Sequence, residues 1–148
     1  MSQSISSTQR AYLAGFLDGD GSIYVQLKPN QTYRFKFQIA AYIVLYQSQK
    51  ARHLFAKLCS MIELGYLRER KDGILEYIIG RTDAIRKFLT IVFPYILLKK
   101  EQAILMNKIL DMKENIRDEK DFAEVAKLID RFRELNYSKK RKKRTITP

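Results

Sequence analysis

The segment Leu13-Ala14-Gly15-Phe16-Leu17-Asp18-Gly19-Asp20-Gly21 combines two features that seldom occur together. Gly15 and Gly19 lie four residues apart, on one face of a helix, where the missing side chains let another backbone come very close. The segment then ends in two carboxylates, Asp18 and Asp20, at a helix C-terminus, where the macrodipole repels negative charge. A divalent cation offsets that repulsion, and the carbonyl groups of the helix end can add oxygen ligands of the hard type that magnesium prefers. Asp18-Gly19-Asp20-Gly21 also suits a plain polar helix stop leading into a strand, and both readings stand at this point. Other chemistries fail on residue counts. Cys59 is the one cysteine and His53 the one histidine, so neither an internal disulfide nor a Cys/His zinc cluster can form. His53 sits among Leu54, Phe55 and Leu58 and reads as a helix-face histidine near the core rather than a general base.

The elements that must position this segment follow from hydrophobic periodicity. Ser7 or Thr8 can cap a helix starting near Gln9, apolar almost all round and therefore covered on every side. From Gly21 the period becomes two, with Ile23, Val25 and Leu27 alternating with Tyr24, Gln26 and Lys28. After a turn at Pro29-Asn30-Gln31-Thr32 the alternation resumes. Phe35, Phe37, Ile39, Ala41, Ile43 and Leu45 occupy one face, and Arg34, Lys36, Gln38, Ala40, Tyr42, Val44 and Tyr46 the other. A helix through Ala51–Ile62 follows, then strands around Gly65–Lys71 and Ile74–Gly80 joined by Asp72-Gly73, a two-residue hairpin signal in which both positions take positive φ. Thr82 can cap a helix that Pro94 closes, and two more helices read from Lys99–Met112 and Phe122–Leu135. The order predicts an α+β fold, an αββαββα core with a four-stranded antiparallel sheet plus C-terminal helices.

Composition narrows the partner. The 148 residues, 46% of them apolar, with nine tyrosines and eight phenylalanines, fit one domain. Its extent is read as residues 1–138, with 139–148 a basic tail. A net charge of +12 favours a polyanion. No apolar run approaches the roughly 18 residues that cross a bilayer, and Met1–Ser4 lacks the regions of a signal peptide, so a soluble, intracellular protein is expected, without membrane attachment. On the sheet, Tyr24, Gln26, Lys28, Arg34, Lys36, Gln38 and Tyr42 mix phosphate-binding charge with groups able to read base edges, continued by Arg68, Arg70, Glu76 and Ile78. A two-stranded ribbon of this kind fits the major groove.

The Leu13–Gly21 segment resembles the signature of the LAGLIDADG homing endonucleases, most nearly their single-motif, homodimeric subgroup. The similarity extends over about residues 8–138, including Lys28-Pro29-Asn30-Gln31, Gly65-Tyr66-Leu67-Arg68 and Leu98-Lys99-Lys100-Glu101-Gln102-Ala103. It implies a homodimer packed through the motif helices at Leu13, Gly15, Phe16 and Gly19. It further implies a magnesium-dependent, site-specific endonuclease, with manganese able to substitute, acting in intron mobility on a long pseudo-palindromic DNA target. No small-molecule cofactor is implied. Asp20 is then the catalytic metal ligand and the Gly19 carbonyl its companion, with Gln47 and Lys99 as water-organising residues. The DNA-contacting set gains Asn30, Tyr33, Val44 and Tyr66. Where relatives usually carry a basic residue one turn after the glutamine, this chain has Ala51, and Lys50 and Arg52 point about 100° away from that position.

Two other readings remain. A protein of this fold can bind DNA without cleaving it, or assist RNA splicing. Glu69-Arg70-Lys71 partly matches the Asp…Glu-x-Lys nucleases but abuts a turn and lacks an upstream acidic partner. The run Lys139–Arg144 can grip phosphates or act as a targeting signal, and a solvated tail is the commoner outcome.

Overall fold

A computed structural model describes residues 4–136; the basic tail expected at 139–148 falls outside the described residues. The elements are α1 (Ser7–Asp20), β1 (Gly21–Pro29), β2 (Phe37–Ser48), a 3-10 turn (Gln49–Ala51), α2 (Arg52–Ile62), β3 (Tyr66–Glu69), β4 (Ile74–Ile79), α3 (Thr82–Val92), α4 (Lys100–Lys113) and α5 (Glu119–Leu135). The strands form one four-stranded sheet in the order β1-β2-β4-β3, the α+β architecture expected. Among the described residues no helix is long and apolar enough to cross a membrane. The described residues divide into two compact units, one drawn from residues 4–23 and 42–100, the other from residues 24–41 and 101–136.

In the first unit, α1 starts at Ser7, two residues before the expected Gln9, and neither Ser7 nor Thr8 caps it. Ser6 is its cap, accepting from the Gln9 amide at 3.1 Å while the Gln9 side chain accepts from the Ser6 amide at 2.9 Å, a reciprocal capping box. Leu13, Ala14 and Leu17 are buried, and Phe16 stacks on Phe55 of α2 with ring centroids 5.9 Å apart. Arg10 ties α1 to the end of α3, donating to the carbonyls of Ile91 (2.9 Å) and Thr90 (3.3 Å). α3 buries Ala84, Ile85, Phe88, Leu89 and Val92 on one stripe. Thr82 does not cap it: Arg81 holds the cap position without a side-chain bond, and Thr82 is already helical.

Strand β4 lies antiparallel between β2 and β3, with Ile43 opposite Ile79, Leu45 opposite Tyr77 and Arg68 opposite Glu76. Gly65 admits no side chain, because a Cβ there would collide with the Ile78 carbonyl. The β3–β4 connection differs from the expected two-residue turn. Gly73 alone has positive φ (83°), Gly73 donates to the Arg70 carbonyl and Arg70 to that of Ile74. This is a three-residue loop with glycine at the left-handed position, a geometry in which Asp72 needs no unusual backbone.

In the second unit Val25, Leu27 and Ile39 are buried, as the alternation demands. The second strand begins only at Phe37, not at Arg34, and residues 30–36 form a loop. Lys36 has φ 67°, which a strand cannot contain, and the Asn30 side chain accepts from both the amide and the hydroxyl of Thr32. Phe35 leaves the alternation to stack on Phe122 of α5 at 5.1 Å. In α4, Ala103, Met106, Ile109 and Leu110 are buried, and α5 buries Phe122, Val125, Ala126, Ile129 and Phe132. Buried Gln102 caps the end of α5 through the Leu135 carbonyl (3.3 Å).

Candidate functional site

The two carboxylates of the motif have separate surroundings. Asp18 is engaged by the segment that follows α3: its carboxylate accepts from the amides of Leu97 (2.7 Å), Leu98 (3.2 Å) and Lys99 (3.1 Å). The Lys99 ammonium closes the circle by donating to the Asp18 carbonyl at 2.8 Å. Asp20, the last residue of α1, is exposed, and among the described residues no hydrogen bond or ion pair engages its carboxylate. At this helix end the Leu17 carbonyl takes the Gly21 amide and the Asp18 carbonyl takes Lys99. The carbonyl of Gly19 is left among those without an intrahelical donor. An exposed carboxylate beside a helix-end carbonyl is an oxygen donor pair that suits a hard divalent cation. Among the described residues no cluster of three or more His, Cys, Asp or Glu can hold a metal by itself, so the pair fits such an ion only as part of a larger ligand set.

Gln47 lies near the end of β2, because the strand runs on to Ser48 and pairs Gln47 with Leu75. Its side chain accepts from the Ser48 amide at 2.8 Å. One residue earlier, the Tyr46 hydroxyl meets that of Ser22 at 3.2 Å, which joins this end of β2 to the residues just after Asp20. Ala51 closes the 3-10 turn. Arg52 is ion-paired with Glu69 of β3, so it is turned away from any role at Ala51, and Glu69 is occupied structurally. Lys50 is exposed. His53, expected near the core, is exposed as well.

On the sheet face of the first unit, Tyr66 and Arg68 are exposed and Tyr42 is half-buried. Arg68 grips Glu76, with Nη2 2.8 Å and Nε 3.2 Å from Oε1, and Arg70 pairs with Asp72 at 2.6 Å. Val44 and Ile78, expected as DNA contacts, are opposite each other and only 1% and 6% exposed. Cross-strand packing makes them the floor of the face and leaves them almost no contact surface. Glu76 is likewise buried. In the second unit Tyr24, Gln26 and Gln38 are half-buried on their strands and Lys28 is exposed. Tyr33, Arg34 and Lys36 are exposed on the loop, not on a strand. Asn30 turns its side-chain oxygen inward to hold that loop.

The motif helix has one covered and one open face. Leu13 is fully buried within its own chain, so its expected place in an interface is corrected to the core. Nothing lies within 4 Å of where a Cβ would stand on Gly15 or Gly19, and Tyr12 is 60% exposed. Phe16 is half-covered through Phe55. Leu54, Leu97 and Leu98 are also exposed. The sequence marks Asp18 as a motif carboxylate without giving it a partner, and the exposure of Leu97 and Leu98 has no local signal beyond the Lys99-Lys100 pair that follows them.

Burial raises two proton affinities close to β4. The thiol of Cys59 is pushed up to about 11 by desolvation. Tyr77 is raised above its ordinary value by burial, although its hydroxyl accepts the amides of Leu64 and Gly65 at 2.9 and 2.8 Å. Neither is a reactive group in this state.

Comparison with known proteins identifies the family. The chain matches the LAGLIDADG endonuclease family over residues 13–114. It is 40% identical to the DNA endonuclease I-CreI of Chlamydomonas reinhardtii over 132 residues, 88% of this chain and 80% of that protein. It is 30% identical to the DNA endonuclease I-CvuI of Chlorella vulgaris over 131 residues, 88% of this chain and 81% of that protein. A crystal structure of I-CvuI with the I-CreI target superposes with a TM-score of 0.85, covering 91% of this chain and 86% of that one. The homing endonuclease I-TnaI, 18% identical, shares the fold with a TM-score of 0.74. The family match over residues 13–114, together with 40% identity to I-CreI over 88% of this chain, places the chain in the LAGLIDADG endonuclease family.

Proposed function

We propose that the protein is a homodimeric endonuclease that cuts both strands of a long, near-palindromic DNA site and so promotes intron mobility. Its residues 1–138 would act as one domain and 139–148 as a basic tail. The observation that carries this reading is the division of labour at the motif: Asp18 is consumed by structure and Asp20 is left exposed. I-CvuI has been observed on the I-CreI target with magnesium and on its own target with calcium, which supports double-stranded DNA as the partner and a divalent ion as the cofactor here.

Asp20 and the Gly19 carbonyl are the residues that would hold magnesium, or manganese in its place. When bound, the ion supplies Lewis-acid stabilisation to the phosphodiester and polarises the attacking water. The chain's own contributions are positional. Asp20 is fixed by the helix end, Gln47 offers an amide that can order water, and Lys99 brings a positive charge to the C-terminus of α1, where the helix dipole favours it. The sheet supplies register. At roughly 3.3 Å per residue a ribbon such as β1, nine residues long, follows about nine base pairs of groove. Two sheets related by a two-fold axis then read about twenty base pairs.

Asp20→Asn tests the assignment. It removes one charge from the proposed metal pair and nothing from the sheet, so DNA affinity should be kept while magnesium-dependent cutting falls by about a thousandfold or more. Cutting at the wild-type rate would reject the site. A purified protein that binds a selected duplex but never cuts it in magnesium or manganese would reject the nuclease reading altogether.

A further inference from the structure

We propose that Asp18 is a positioning residue, whose carboxylate serves as the template on which Leu97–Lys99 folds so that the Lys99 ammonium is delivered to the end of the motif helix. This rests on the nuclease reading above and goes beyond it by separating the tasks of the two motif carboxylates. Three successive amides converge on one carboxylate, at 2.7, 3.2 and 3.1 Å. Hydrogen bonds to an ionised acceptor are about twice as strong as neutral ones. The residues joined are 79 to 81 apart in sequence, so the clamp closes a long loop through a single side chain.

The return bond from the Lys99 ammonium to the Asp18 carbonyl gives the clamp its function. Lys99 is held two residues from Asp20 by its backbone amide and its ammonium together, so it loses little freedom when the centre assembles. A lysine on an unanchored loop would have to be ordered at each turnover. Asp18, with its oxygens committed to amides, contributes no metal ligand and no proton. Its effect on cutting runs through Lys99.

The test compares Asp18→Asn, Lys99→Met and the double variant as full-length proteins. Without DNA or metal, amide exchange at Leu97, Leu98 and Lys99 should accelerate by about tenfold or more in Asp18→Asn, while the interior of β4 stays protected. With DNA and magnesium, Asp18→Asn should lower the single-turnover rate by about ten- to a hundredfold with DNA affinity unchanged. The double variant should be no slower than the slower single one, because both changes remove the same contribution. Unchanged exchange at the three amides, or losses that multiply, would overturn the proposal. If Asp18→Asn does not fold, Asp18→Glu, which keeps the charge one methylene further out, is read by the same two measurements. The parent and Asp20→Asn are run alongside: a parent that never cuts defeats the nuclease reading and an Asp20→Asn that still cuts defeats the Asp20 site, whereas the exchange result decides the clamp on its own.

Discussion

Arg68 is held by Glu76 through two hydrogen bonds to one carboxylate oxygen, and only the arginine is open, at 59% against 12% side-chain exposure. Of this cross-strand pair one partner meets the outside and the other aims it. Glu76→Gln weakens the charge-assisted pair and lets the guanidinium swing. Base preference should relax at one position in each half-site, by up to about 1–3 kcal/mol of discrimination if Arg68 reads a base edge bidentately. The salt dependence of binding should stay as it was, because no phosphate contact is lost. Selection from a randomised duplex library checks this, and an unaltered consensus would show that Arg68 does not read bases.

Arg52 and Glu69 form a second ion pair, half-exposed at both ends. Exposed pairs contribute roughly 0–1 kcal/mol. Arg52→Ala should therefore cost less than about 1 kcal/mol in urea unfolding and leave single-turnover cutting within about twofold. Glu69→Ala should behave alike, since Glu69 serves this pair and not the chemistry. A large loss of cutting at unchanged stability would mean that Arg52 leaves Glu69 to fill the place that Ala51 leaves open.

Much of this was legible in sequence because it is local. The strand alternation at Ile23–Leu27 and Ile39–Leu45, the stripe of α3 and the motif itself depend on neighbours within a turn or a pleat. Where the sequence misled, distant contacts decided. Phe35 keeps the alternating pattern of β2 but stacks on Phe122, so the strand starts later than its pattern suggests. Val44 and Ile78 have the parity of the open face, yet each covers the other. The role of Asp18 depends on amides some eighty residues away, for which no spacing rule exists.

Cys59 gives a pH prediction whose sign is fixed. Its folded pKa is about 11, raised from 9.0 by burial, so folding favours the neutral thiol. The corresponding stability is complete below pH 9 and is lost progressively as pH rises towards 11, where the unfolded chain ionises and the folded one does not. Tyr77, raised in the same sense, adds to the loss at the alkaline end. Cys59→Ala should flatten the decline between pH 9 and 11 in thermal melts. The native thiol should also react with maleimide only as fast as the chain opens. Rapid labelling at pH 8 under native conditions would contradict the burial.

Gly15 and Gly19 yield the sharpest test of assembly. Within one chain a Cβ at either position meets nothing within 4 Å, so a single chain gives no packing reason for glycine there. Helix propensity points the other way, since glycine costs about 1 kcal/mol relative to alanine in a helix interior. Two glycines on one open face, beside an exposed Tyr12, therefore make sense if the backbone of a second α1 lies against them. Gly15→Leu should leave the chain folded, with unchanged far-UV circular dichroism, and raise the dimer dissociation constant by about tenfold or more through overpacking. Double-strand cutting should fall at protein concentrations where the variant is monomeric and return as concentration rises, because each chain brings one Asp20. Sedimentation equilibrium at micromolar protein decides it. A Gly15→Leu variant as dimeric as its parent would remove the motif helix from the interface.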